Sequence, residues 1–150
     1  MINFELSQSA PFMLQYFWLF LAAVWIGASW LISRLSGWRR LAEAYPERLP
    51  FTGEYWWFQS AEMASMSHYG GTLIVGANHE GLHLAVLLPF RIGHPALFIP
   101  WSDISMREQK SRLSFTRVEL TFQKVPGVAM KITAALGRKI QEAKGKPYVG

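Results

Sequence analysis

Between Glu5 and Arg34 the chain runs for 28 residues without a charged side chain. Within that stretch residues 12–32 read FMLQYFWLFLAAVWIGASWLI. As a helix this run reaches roughly 31 Å, about the thickness of a bilayer's hydrocarbon core. A cleaved secretory signal fits poorly, because the preceding MINFELSQSAP holds an acid and no Lys or Arg, and the apolar run is too long. Residues 1–11 are therefore read as an extracytoplasmic tail and 12–33 as a retained transmembrane helix. Arg34, Arg39 and Arg40 follow the span and no basic residue precedes it, so the positive-inside rule predicts an outer N-terminus and a cytoplasmic C-terminal part.

Within the span Ala23 and Gly27 stand four apart, on one helix face, where small residues let a second helix approach closely. Trp30 and Trp38, with Arg34, Arg39 and Arg40, are the expected cytoplasmic membrane interface. Trp38, Leu41 and Tyr45 recur at helical spacing, so residues 34–46 predict a short amphipathic helix lying on the membrane surface and ended by Pro46.

From Tyr55 the apolar period changes from helical to two. Residues 55–63, 65–69, 72–77, 82–88, 96–99, 104–110, 113–116, 118–124 and 129–132 read as short strands, after a turn-rich linker at 47–54. Turn signals separate them at Gly70-Gly71, Asn78 to Gly81, Gly93-His94-Pro95 and Pro126-Gly127. Alternation is clearest where Val118, Leu120 and Phe122 interleave with Glu119, Thr121 and Gln123, the pattern of a strand with one wet face. Residues 133–144 close the chain as an amphipathic helix with a stripe of Ala134, Ala135, Ile140 and Ala143. The predicted class is one transmembrane helix plus an α+β domain at 55–145, an antiparallel barrel or sandwich of about seven strands capped by a C-terminal helix. Residues 146–150 are read as a tail.

The order Gly71-Thr72-Leu73-Ile74-Val75, then Gly81-Leu82-His83-Leu84, then Ile99-Pro100-Trp101-Ser102-Asp103-Ile104 resembles the core of GRAM and bacterial pleckstrin-homology-like (PH-like) domains. Gly37-Trp38, Leu41-Ala42 and Tyr45 also resemble a pattern in small bacterial single-pass membrane proteins. The resemblance implies a PH-like fold at the cytoplasmic face of a bacterial inner membrane, used for contact with lipids, peptides or proteins. Residues 72–88 carry no basic cluster of the kind found in the lipid-binding members, so phosphoinositide recognition is not implied.

Chemical motifs are sparse. The absence of cysteine excludes thiol chemistry, disulfides and cysteine-based metal sites. His79-Glu80-Gly81-Leu82-His83 matches H-E-x-x-H, whose chemistry needs both imidazoles on one helix face; here Gly76, Asn78 and Gly81 point to a hairpin. His68 and His94 have no carboxylate at a telling spacing, and neither a nucleophile elbow nor a phosphate loop occurs. Positive charge is concentrated late, with ten Lys or Arg against four acids after residue 100. Lys131, Arg138, Lys139, Lys144 and Lys146 are candidates for contact with anionic lipid headgroups, while nucleic acid is disfavoured because stacking aromatics are not interleaved there. The expected function is a non-enzymatic, cofactor-free module that mediates protein or lipid-headgroup contact, as an accessory subunit or assembly factor of a membrane complex. A zinc hydrolase using His79 and His83 is the alternative.

Overall fold

The computed structural model describes residues 6–63 and 67–145, and the side chains from residue 11 onward. Helix α1 spans Leu6–Leu35, longer at both ends than the predicted 12–33, and takes in Pro11. Residues 11–35 are long and apolar enough to cross a membrane, and their side chains are almost all exposed. The helix stops at Gly37, whose φ of +81° reverses the chain. A Cβ there would meet Val128 Cγ2 at 2.5 Å, so both the backbone conformation and the close approach call for glycine.

Helix α2, Trp38–Ala44, follows at once. Trp38 and Leu41 are fully buried and Tyr45 nearly so, while Arg39 and Arg40 face outward. This corrects the expected surface helix at 34–46: its first residues belong to α1, and the apolar stripe of the remainder faces the protein core instead of lipid. Spacing shows that a stripe exists and is silent on what covers it. The expected linker is also packed, since Pro46 bridges to Leu97 and Phe51 lies over Gly76.

Seven strands form one open antiparallel sheet in the order β4-β3-β2-β1-β7-β6-β5. They are β1 Glu54–Met63, β2 Ser67–Ala77, β3 Gly81–Val86, β4 Leu97–Pro100, β5 Ile104–Lys110, β6 Thr116–Phe122 and β7 Val125–Thr133. Strand β1 lies between β2 and β7 and bends between its two halves, where Phe58 has a φ of +56° and the register with β2 slips twice. Gln59 faces Leu73 and Ala61 faces Tyr69, so Gly70-Gly71 is a bulge inside one long strand, not a turn between two. Ser60 Oγ accepts the Gly71 N–H at 2.8 Å and replaces the ladder bond that the bulge interrupts. The expected strand at 113–116 is the β5–β6 hairpin, closed by Ser111 N–H donating to the Phe115 carbonyl.

Helix α3, Ala134–Gly145, buries Leu136, Gly137, Ile140 and Ala143 against the sheet. Thr133 Oγ1 accepts the Leu136 N–H and caps its first turn. Ala134 and Ala135, assigned above to the apolar stripe, are not among the buried residues. The core fills from both halves of the sheet, with Met63, Leu73, Leu82, Leu84 and Ile99 meeting Leu120, Phe122, Met130 and Ile132.

Candidate membrane interface

The base of α1 is joined to the β-domain through polar groups that are themselves buried. Ser36 Oγ lies 2.8 Å from Tyr69 Oη, which lies 3.0 Å from His94 Nε2. His94 Nδ1 is 3.0 Å from the Ile92 carbonyl, which can only accept, so the neutral ring carries its proton on Nδ1. Nε2 then accepts from the Tyr69 hydroxyl, and the Tyr69 oxygen accepts from Ser36. Burial pushes the His94 pKa down, against the pull of the Ile92 and Phe90 carbonyls, and pushes the Tyr69 phenol up. The Trp38 ring packs on both, 5.8 Å from Tyr69 and 5.5 Å from His94, and its indole N–H donates to the Pro95 carbonyl at 2.9 Å. Trp38, expected at the lipid boundary, is thus the centre of the joint inside the protein.

The segment from Leu87 to Pro95 climbs along α1. Ser33 Oγ donates to the Gly93 carbonyl, Trp25 Nε1 donates to the Pro89 carbonyl at 3.4 Å, and the Trp25 and Phe90 rings are 4.9 Å apart. Between this segment and the two helices lies a cavity of about 290 Å³ lined by Trp30, Ser33, Arg34, Arg39 and Glu43. Arg34 sits 4.0 Å over the Trp30 ring, and Arg39 pairs with Glu43 at 2.9 Å, one turn along α2. The interface set Trp30, Arg34 and Arg39 therefore meets around one opening, with Arg40 beside Gly127. Ala23 and Gly27 lie on an exposed part of α1, and a Cβ added at Gly27 would touch nothing within 4 Å.

The H-E-x-x-H residues are split between turn and strand. His79 and Glu80 lie in the β2–β3 hairpin, 3.6 Å apart, whereas His83 is inside β3. Its ring stacks on Phe51 at 4.9 Å and meets Tyr55 edge-on at 5.5 Å. Glu47 Oε1 is 3.1 Å from its Nδ1 but off hydrogen-bond alignment, so the contact is electrostatic. Burial pushes the His83 pKa down despite Glu47. The two imidazoles are not neighbours on a helix face, and among the described residues no three His, Asp or Glu side chains gather as a metal site. The helical pairing of imidazoles that H-E-x-x-H chemistry uses is not formed at 79–83.

Part of the basic third of the chain lies within the sheet. His68, Glu62, Lys131, Glu119 and Arg107 are direct cross-strand partners in one row over five strands, so basic and acidic side chains alternate along it. Arg117 adds an ion pair to Glu62. Lys131 stands in this row between Glu62 and Glu119. Lys144 Nζ lies over Trp101, whose indole N–H donates to the Asn78 carbonyl at the end of β2 opposite Tyr69. That end is separated from the joint by most of β2, at most roughly 30 Å at about 3.3 Å of rise per strand residue. Arg138 lines a groove with Met106 and Gln141, Lys139 is exposed, and Lys146 lies outside the described residues.

Sequence reasoning missed a second cavity, of about 440 Å³, between the 46–52 strap and the β2–β3 hairpin, lined by Arg48, Leu49, Phe51, His79 and Phe98. The turn-rich composition of the strap concealed it. It also missed the Ser36–Tyr69–His94 chain, whose members are far apart in sequence. Comparison with protein-family models, curated proteins and solved structures gave no match for this chain.

Proposed function

We propose that this protein is a non-enzymatic, single-pass membrane protein whose PH-like domain is held at the cytoplasmic face as an accessory subunit of a larger membrane complex. The strand order with a bent central β1 and a closing helix supports the PH-like reading. The charge-free helix followed by Arg34, Arg39 and Arg40 supports an outer N-terminus, and the resemblance noted above supports a bacterial inner membrane.

Between protein and lipid-headgroup contact, the alternating charge row favours protein. Lys131 stands between Glu62 and Glu119 in that row, and Lys144 lies over Trp101 beside the Asn78 end of β2, so these two cations face partners within the domain. The bare face around Ala23 and Gly27 is the corresponding surface within the bilayer, open to close approach by a partner helix. The observation that carries this reading is the buried joint, which holds the domain in a fixed pose below α1. A fixed pose serves a partner that binds span and domain together.

The test is purification of the tagged full chain from its own membranes in mild detergent, read by native gel and mass spectrometry. A membrane protein in fixed stoichiometry is expected, and Gly27→Leu is expected to weaken that association. A wild-type chain that always runs alone at its own size overturns the subunit reading.

A further inference from the structure

Trp25, which touches Pro89 and Phe90, lies nine residues before Arg34. At 1.5 Å per residue that is roughly 14 Å farther along α1, close to half the hydrocarbon thickness. A loop that contacts the helix at that level cannot stay in the aqueous phase if the helix spans with Arg34 at the boundary. We propose that residues 87–93 form a second membrane-inserted element, entering the leaflet beside α1 with Leu88 and Phe90 against lipid acyl chains. The inference rests on α1 crossing the bilayer, and its occupant is the lipid of that same leaflet.

Two features of the loop fit this environment. The sequence Leu87-Leu88-Pro89-Phe90-Arg91-Ile92 has one charge, and Leu88 is 77% exposed with Phe90 and Ile92 also turned outward. The one charge, Arg91, is exposed, and its long side chain can carry the guanidinium toward the headgroups. Most of the loop's backbone carbonyls are also paired against the protein. The carbonyls of Leu87, Pro89, Arg91, Ile92 and Gly93 accept from Phe90 N–H, Trp25 Nε1, His94 N–H, His94 Nδ1 and Ser33 Oγ respectively. Non-helical backbone is tolerated at membrane depth when its polar groups are paired against protein.

The competing placement slides α1 outward until the loop clears the lipid. That leaves Trp25, Ile26, Trp30, Leu31 and Ile32 in water and draws Ser7, Gln8 and Ser9 into the hydrocarbon. Apolar burial favours the inserted placement. Anchored at α1 and at the loop, the domain cannot rotate about the helix axis.

Because the chain has no cysteine, one introduced thiol reports one position. Leu88→Cys in the full chain, labelled with an environment-sensitive fluorophore, is placed in vesicles of phosphatidylethanolamine and phosphatidylglycerol. Quenching is compared between iodide in the buffer and bromine on the acyl chains. Leu19→Cys in α1 and Leu113→Cys on the β5–β6 hairpin are read in parallel; like Leu88, both are well exposed, so the changes remove little packing. Positions 88 and 19 are expected to be quenched several-fold more strongly by brominated lipid than by iodide, and position 113 the reverse. Lipid quenching at 19 with iodide quenching at 88 overturns the inserted loop alone. Iodide quenching at both overturns the spanning helix as well.

Discussion

The two histidines buried beside β2 are held in different ways. Near the α1 end, His94 has both ring nitrogens in hydrogen bonds, to Tyr69 and Ile92, and an indole packed on its face. Toward the other end, His83 is held by Phe51 and Tyr55 stacking and by a misaligned carboxylate. Aligned partners fix orientation, whereas stacking fixes mainly distance. The joint to α1 is therefore the stiffer of the two clusters, and the 46–52 strap the looser.

The largest effect that tests this contrast is removal of the joint's centre. Trp38→Ala empties a fully buried indole site and strands the Pro95 carbonyl, for an expected loss of about 3–5 kcal/mol. The check is denaturant unfolding of the full chain in detergent, followed by near-ultraviolet circular dichroism. Phe51→Ala, over His83, is expected to cost distinctly less, because Phe51 is only half-buried. Equal losses would remove the distinction between the clusters. Next in size is Gly37→Ala, at about 1–3 kcal/mol, from the left-handed backbone and the approach of Val128. Gly71→Ala is its control, with a positive φ but open space around the Cβ. Tyr69→Phe follows, at about 1–3 kcal/mol, since it leaves the buried His94 Nε2 without its donor, while Ser36 keeps the Ser33 carbonyl as acceptor.

These positions also separate what the sequence displayed from what it concealed. Val118, Leu120 and Phe122 are buried in β6 as their alternation predicts, because a two-residue period specifies which face is dry. Gly70-Gly71 misled because a bulge and a turn ask for the same glycines, and only register tells them apart. Trp38 misled because an amphipathic stripe is equally suited to lipid and to a protein core. His94 was legible only as part of a Gly-His-Pro turn, and its partners are 25 and 58 residues away, Tyr69 by hydrogen bond and Ser36 through it. The charge row was concealed for the same reason, since Glu62, Lys131 and Glu119 meet only once the strands are paired. Trp30, Arg34 and Arg39 were singled out one by one in the sequence, while the opening that they share depends on the path of the 87–95 segment.

The smallest effect concerns pH. Both buried histidines have folded pKa values below the unfolded value near 6.5, chiefly through burial. The unfolded chain therefore binds more protons between the two values, and stability present above about pH 6.5 is lost as pH falls from there toward the folded pKa values. Glu47 opposes this at His83 only, by favouring the imidazolium. Glu47→Gln lowers the folded pKa of His83 further, so the loss begins at the same pH but continues to a lower one and ends larger. His94, with no carboxylate among the groups acting on it, is unaffected. The measurement is the unfolding midpoint of wild type and Glu47→Gln between pH 7.5 and pH 4.5. The two curves are expected to coincide near pH 7.5 apart from a constant offset, then diverge on the acid side by less than about 1 kcal/mol, since Glu47 is only partly buried. Parallel curves throughout would mean that Glu47 does not act on the His83 charge, and that the looser cluster is held by stacking alone.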